Sequence, residues 1–182
     1  GGSWTRGREM PRERMAMRLD LSSGNALQVD RSRLTRHGAV LRSPTTADVP
    51  TLGRLMYDAY FGTVDYEGES QADACGEIER TLAGEYGPLD FAASHVCEVE
   101  GFVRSAALIT TWQSQPLLAY SITHPATQGR GLATACILAA CEELRRQGRT
   151  ELRLVVTVVN EPAVRLYRKL GFQSLASGGA AE

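Results

Sequence analysis

The 182-residue chain has one lysine, few aromatic residues and no long apolar run. The lone Lys169 lies far from any glycine cluster, so the lysine-dependent phosphate loop G-x-x-x-x-G-K-[ST] is excluded. No apolar stretch approaches the ~18 residues of a membrane span. The opening GGSWTRGREMPRERMAMRLD has no apolar core of the kind a secretory signal carries. A cytoplasmic protein without membrane contact is expected. Cys75, Cys97, Cys136 and Cys141 form no C-x-x-C pair and no Cys/His cluster with zinc spacing. Reduced structural thiols are expected, and no metal site. There is no internal repeat, and the only low-complexity stretch is the SGGAAE tail.

What is present is a globular composition, 43% hydrophobic and 23% charged, with its charge unevenly spread. Through Arg36 eight arginines stand against four acids, a local +4, whereas the whole chain carries −1. Trp4 is the only aromatic in that stretch, and basic segments that bind nucleic acid interleave aromatics, so no nucleic-acid partner is expected. Residues 1–36 read as a loosely ordered basic arm, 37–177 as one folded domain and 178–182 as a flexible tail.

From residue 39 the elements alternate. AVLRS reads as a strand. Thr45 and Thr46 then cap a helix near 47–60, with Val49, Leu52, Leu55, Met56 and Ala59 on its apolar side. The acidic loop GTVDYEGES precedes a second helix over about 71–86. FAASHVCEVE and FVRSAALITTW flank a Glu100-Gly101 hairpin signal, and PLLAYSIT supplies a third strand. A buried helix over 132–147 ends at Gly148, and ELRLVVTVV alternates as a strand. Asn160 caps a last helix that has Pro162 in its first turn. The expectation is an α/β fold with a mixed, mostly antiparallel central sheet flanked by helices.

Between the third strand and the buried helix stands THPATQGRGLAT, residues 123–134. Two glycines at a helix start clear the backbone so that its N–H groups can hold an anion. The dinucleotide fingerprint G-x-G-x-x-G fails here, because Thr134 replaces the third glycine and no acid ends the following strand. The segment Gln128-Gly129-Arg130-Gly131-Leu132-Ala133, followed by NEPAVRLYRKLGF from Asn160 to Phe172, closely resembles the GCN5-related N-acetyltransferases. That family is marked by a Gln/Arg-x-x-Gly-x-Gly/Ala loop and by an Asn that opens the last helix with a Tyr seven residues on. The resemblance covers most of residues 39–175.

The resemblance implies acetyl-CoA as cofactor. The amides of Gly129, Arg130, Gly131, Leu132, Ala133 and Thr134 would take the pyrophosphate, with Gln128 entering the loop and Arg130 screening charge. The main chain of Ser121, Ile122 and Thr123 would line the pantetheine, and an N–H there would stabilise the oxyanion. Asn160 would add a cofactor contact, and Tyr167 would give a proton to the departing thiolate. Some relatives place a glutamate where this chain has Val155. The general base therefore stays open among Glu98, Glu100, His95, Asp65, Glu67 and Glu69. The loop 62–70 falls where the family shapes its acceptor pocket, and its acids are expected to attract a cationic amine.

The implied activity is N-acetylation of a primary amine on a small molecule by direct transfer. A catalytically silent acyl-CoA sensor and a peptide or protein N-terminal acetyltransferase are the alternatives. A monomer or homodimer is expected. With ten residues left after Phe172, the last strand is expected to be short or absent, leaving an edge for a partner chain to complete.

Overall fold

A computed structural model describes residues 12–24 and 26–175. In chain order its elements are β1 (Arg14–Asp20), α1 (Arg31–Arg36), β2 (Ala39–Arg42), α2 (Val49–Tyr60), α3 (Gln71–Leu82), β3 (His95–Val99), β4 (Phe102–Trp112), β5 (Gln115–Thr123), α4 (Leu132–Arg146), β6 (Glu151–Thr157), α5 (Glu161–Lys169) and β7 (Gln173–Ser174). One seven-stranded sheet runs β2-β3-β4-β5-β6-β1-β7. Every neighbouring pair is antiparallel except β5 and β6. The mixed, mostly antiparallel α/β fold expected from the sequence is what forms.

Two apolar clusters cover the sheet. Leu52, Leu55 and Met56 of α2 meet Ala74, Ile78 and Leu82 of α3 over Val96, Leu108 and Ile122. Cys136, Ile137 and Ala140 of α4 pack in a second cluster with Leu152 and Leu154 of β6 and with Tyr167 and Phe172. Helix α4 is buried on nearly all sides of its first three turns, from Leu132 to Cys141, which is why its sequence shows no polar face. A buried carboxylate anchors α3 to β5. Glu77 accepts from the Tyr120 hydroxyl at 2.7 Å, from Tyr86 at 3.1 Å and from Arg80 at 3.0 Å, so its charge is fully hydrogen-bonded, as burial requires.

The N-terminal segment corrects the expectation of a loose arm through Arg36, for the residues described. Strand β1 lies inside the sheet, paired with β6 from Arg14↔Thr157 to Asp20↔Glu151 and with β7 at Met17↔Ser174. The reason is an apolar alternation hidden among arginines. Met17 is fully buried and Leu19 and Leu21 nearly so, while Arg18 turns outward to pair with Glu151. Further on, α1 buries Leu34. Residues 1–11 lie outside the described part, as does the tail 178–182. The sheet edge expected to need a partner chain is filled by the chain's own first strand, with the two-residue β7 outside it. The helix expected to run to residue 86 ends at Leu82, where a turn with Gly84 at φ +85° takes over.

Truncating Met17 to Ala should cost about 2–5 kcal/mol, the range for emptying a fully buried site, read as a lowered urea midpoint. Removing residues 1–21 should abolish cooperative unfolding altogether. A truncated protein that unfolds at the same midpoint would contradict the placement of β1 in the core.

Candidate functional site

Strands β5 and β6 share a single parallel pair, Leu117↔Arg153, and then part. The gap opens into a cleft of about 1740 Å³, walled by Leu118–Thr123 of β5 and Leu154–Thr157 of β6. That is more than the ~300–1,000 Å³ of a drug-sized ligand site.

The glycine loop closes one end. Gly129 and Gly131 stand at φ +78° and +77°, a left-handed geometry that only glycine adopts without cost. Gly131 is the N-cap of α4 and offers no side chain to the helix start. The first helical bond runs from Ala135 N to Gly131 O at 3.0 Å. Among the described residues the amides of 129–134 therefore donate to no protein acceptor. They converge where the helix dipole is positive, an arrangement that takes a phosphate. The loop lines the cleft from Gln128 to Ala135, so the sequence-predicted set is gathered on one wall. The Leu132 side chain is buried in the core, leaving its amide for a ligand.

On β5 the three predicted residues divide. The Ile122 side chain packs into the cluster under α2 and α3. The Thr123 hydroxyl shares a 2.8 Å hydrogen bond with Ser105, whose hydroxyl also reaches the Ile122 carbonyl. Ser121 faces the other way, towards Tyr167 of α5, and a hydrogen bond from its hydroxyl eases the rise in that phenol's pKa. Tyr167 is held edge-on against Phe172, with ring centroids 5.7 Å apart. Burial is the main cause of the rise and the Asp65 charge adds to it; together they push the phenol up to about 12. The group is a proton holder at any ordinary pH.

Asn160 caps α5, accepting from Ala163 N at 3.3 Å, and its Nδ2 donates to Asp65 at 3.0 Å. The second contact, across 95 residues of chain, carries no sequence signal. It brings the acidic loop to the foot of α5. Arg12, from just before β1, lies 3.8 Å from the other Asp65 oxygen. Of the acids weighed as bases, Asp65 and Glu67 line the cleft. Glu69 is turned inward and accepts from the Glu67 amide at 3.0 Å, closing the loop on itself. Glu98 is bound by Arg42 at 2.9 Å, in a pair shared with Asp48, and His95 sits on Ala93 O at 2.7 Å. Neither these two nor Glu100 lines the cleft. Tyr57, Phe61 and Tyr66 form an aromatic group beside the acidic loop, with centroids 5.1–6.4 Å apart. Among the described residues no group of His, Cys, Asp and Glu is placed to hold a metal, and no helix is long and apolar enough to cross a membrane.

A family model described as the acetyltransferase (GNAT) family matches residues 72–172, from α3 through α5. The chain belongs to this family. A segment of 51 residues is 43% identical to a mycothiol acetyltransferase of Saccharomonospora viridis, spanning 28% of this chain and 17% of that relative. Among solved structures, the fold is similar to a GCN5-related N-acetyltransferase of Sphaerobacter thermophilus, with TM-score 0.67 and 16% identity over 90% of this chain and 49% of that one. The chain thus spans about half the length of that structure. It is also similar to the PaiA N-acetyltransferase of Thermoplasma acidophilum, solved in complex with coenzyme A, with TM-score 0.63 and 17% identity over 78% and 93% of the two chains.

The buried phenol makes a pH prediction for this chain. With Tyr167 at about 12 in the fold against 10.0 ordinarily, its contribution to stability is whole below the ordinary value and is lost as pH climbs towards 12. Tyrosinate absorbance that Tyr167→Phe removes should appear only above the ordinary tyrosine range. A component titrating near 10 and absent from the variant would contradict the burial.

Proposed function

We propose that the protein transfers the acetyl group of acetyl-CoA directly to a primary amine of a small molecule, with the donor in the β5–β6 cleft. The observation that carries this reading is the alignment of three features on one cleft: open amides at the head of α4, an unpaired β5 edge, and a phenol from α5 against Ser121. The curated relative, named for mycothiol, agrees with a small acceptor.

When bound, acetyl-CoA supplies an activated thioester. The chain does the rest. Gly129 and Gly131 keep the loop amides clear for the pyrophosphate, and Arg130 adds a screening charge. The parted edge of β5, from Ser121 to Thr123, offers main-chain groups to an amide-bearing arm and an N–H to a developing oxyanion. Tyr167 presents its proton at Oη. A free thiol has a pKa of roughly 8.5, well below a phenol at about 12. The phenol therefore serves as a hydrogen-bond donor to developing thiolate charge, and proton transfer is complete only to the extent that the same dry surroundings raise the thiol. Asn160, occupied by its cap and by Asp65, holds the acidic loop in place. Asp65, shared with Arg12 and Asn160, and Glu67 face the cleft where a cationic amine would approach, and Tyr60 lines the same stretch of it.

The test is a thiol-release assay with acetyl-CoA against a panel of small amines and peptides, run on the parent and Tyr167→Phe. The parent should turn over small amines in preference to peptides. The variant should bind acetyl-CoA normally while kcat falls about 10²–10³-fold, the usual cost of one preorganised donor. Its melting temperature should register only the ~1 kcal/mol of a lost hydroxyl hydrogen bond. Equal activity in the variant would reduce Tyr167 to packing. A parent that binds acetyl-CoA and acetylates nothing would overturn transfer in favour of a silent sensor.

A further inference from the structure

Arg33 is an exposed cation of α1 that stands beside the glycine loop. Its guanidinium, carried by α1, rests against the left-handed turn of the glycine loop. A Cβ on Gly131 would meet Arg33 Nη1 at 3.2 Å and Cζ at 3.3 Å. Arg33 makes no ion pair among the described residues, although Arg31 beside it does, with Glu142 at 2.8 Å. The nearest acid in sequence, Asp30, is engaged in capping α1, its Oδ1 accepting from Arg33 N at 3.0 Å and from the Ser32 hydroxyl at 2.9 Å.

The neighbourhood is already positive. The start of α4 carries roughly half a positive charge from its aligned peptides, and Arg130 lines the same cleft. Water screens the exposed guanidinium and the Asp30 carboxylate lies close to it, but an anion between Arg33 and the helix start would be held from both sides. The position is nonetheless fixed by α4 itself. Glu142 of α4 takes both Val29 N at 3.1 Å and the Arg31 guanidinium, and Leu34 is buried in the core shared with α4. Helix α1 is therefore clamped to the helix whose N-terminus forms the loop, and Arg33 is held at the loop's rim.

The geometry points to Arg33 as a phosphate-binding residue of the acyl-donor site, supplied from a segment that precedes the family-matched residues 72–172. This rests on the donor reading given above. The guanidinium fork matches phosphate oxygens bidentately, and the ligand groups of that chemistry on coenzyme A are its diphosphate and its 3′-phosphate. Arg33 and the open amides of 129–134 then share one anion, held from two sides.

Calorimetry on the full chain tests this, with coenzyme A and 3′-dephospho-coenzyme A as ligands and the parent, Arg33→Ala and Arg33→Lys as proteins, at low and high salt. Arg33→Ala should weaken coenzyme A roughly tenfold to a hundredfold, the range of one charge-assisted hydrogen-bonded contact. Arg33→Lys should lie between, and the gap should narrow at high salt because the contact is exposed to screening. Equal losses for both ligands assign the arginine to the diphosphate. A loss confined to coenzyme A assigns it to the 3′-phosphate. Unchanged affinity in folded Arg33→Ala, or a loss of the same size at every salt concentration, overturns the proposal. If the parent itself binds no coenzyme A, the donor reading fails and takes this one with it, which separates the two failures. Should Arg33→Ala unfold, the Arg33→Lys comparison still decides.

Discussion

Two strand edges that face each other across the middle of a sheet, yet pair only at Leu117↔Arg153, are the constraint on which this structure depends. Backbone N–H and C=O groups left without partners are costly when they are also kept from water. Such a gap persists only if both strands are held from their other sides. Strand β5 is laddered to β4 from Gln115 to Thr123, and β6 to β1 over all seven residues. Tyr120 is pinned from below by Glu77. The cleft is thus a seam held open by the sheet around it, and its open edges favour a ligand that carries amides of its own.

The N-terminal segment makes the seam possible. Without β1 the far side of β6 would be exposed, and the short β7 would have no strand to join. The same segment shapes the cleft's electrostatics, because Arg12 and Arg14 line it and Arg12 approaches Asp65. At the glycine loop the helix-start amides stand with Arg33 and Arg130, an anion-binding end. Near the foot of α5, Asp65 is shared between Arg12 and Asn160, with Glu67 and Tyr60 beside it.

Much of this was legible in the sequence because it depends on local signals. The glycine pair before an apolar helix, the Asn160 cap and the alternation of Leu152, Leu154 and Val156 are each set by neighbours a few residues away, and all three form as read. The arginines around Met15, Met17 and Leu19 mask an equally local period of two. The Asp65–Asn160 hydrogen bond and the contact of Arg33 with Gly131 join residues about a hundred positions apart. Such contacts follow from topology and have no spacing to detect. Among the candidate bases, Glu98 and His95 were indistinguishable from Asp65 as isolated letters, and only the packing of β3 against β2 and β4 takes them away from the cleft.

The most direct measurement is amide hydrogen exchange with and without acetyl-CoA. Protection should rise on the amides of 118–123 and 129–134, which border the open seam, and should stay unchanged on β3 and on the β1–β6 ladder. Protection confined to other surfaces, or none at saturating acetyl-CoA, would contradict the claim that the gap between β5 and β6 is where the donor binds.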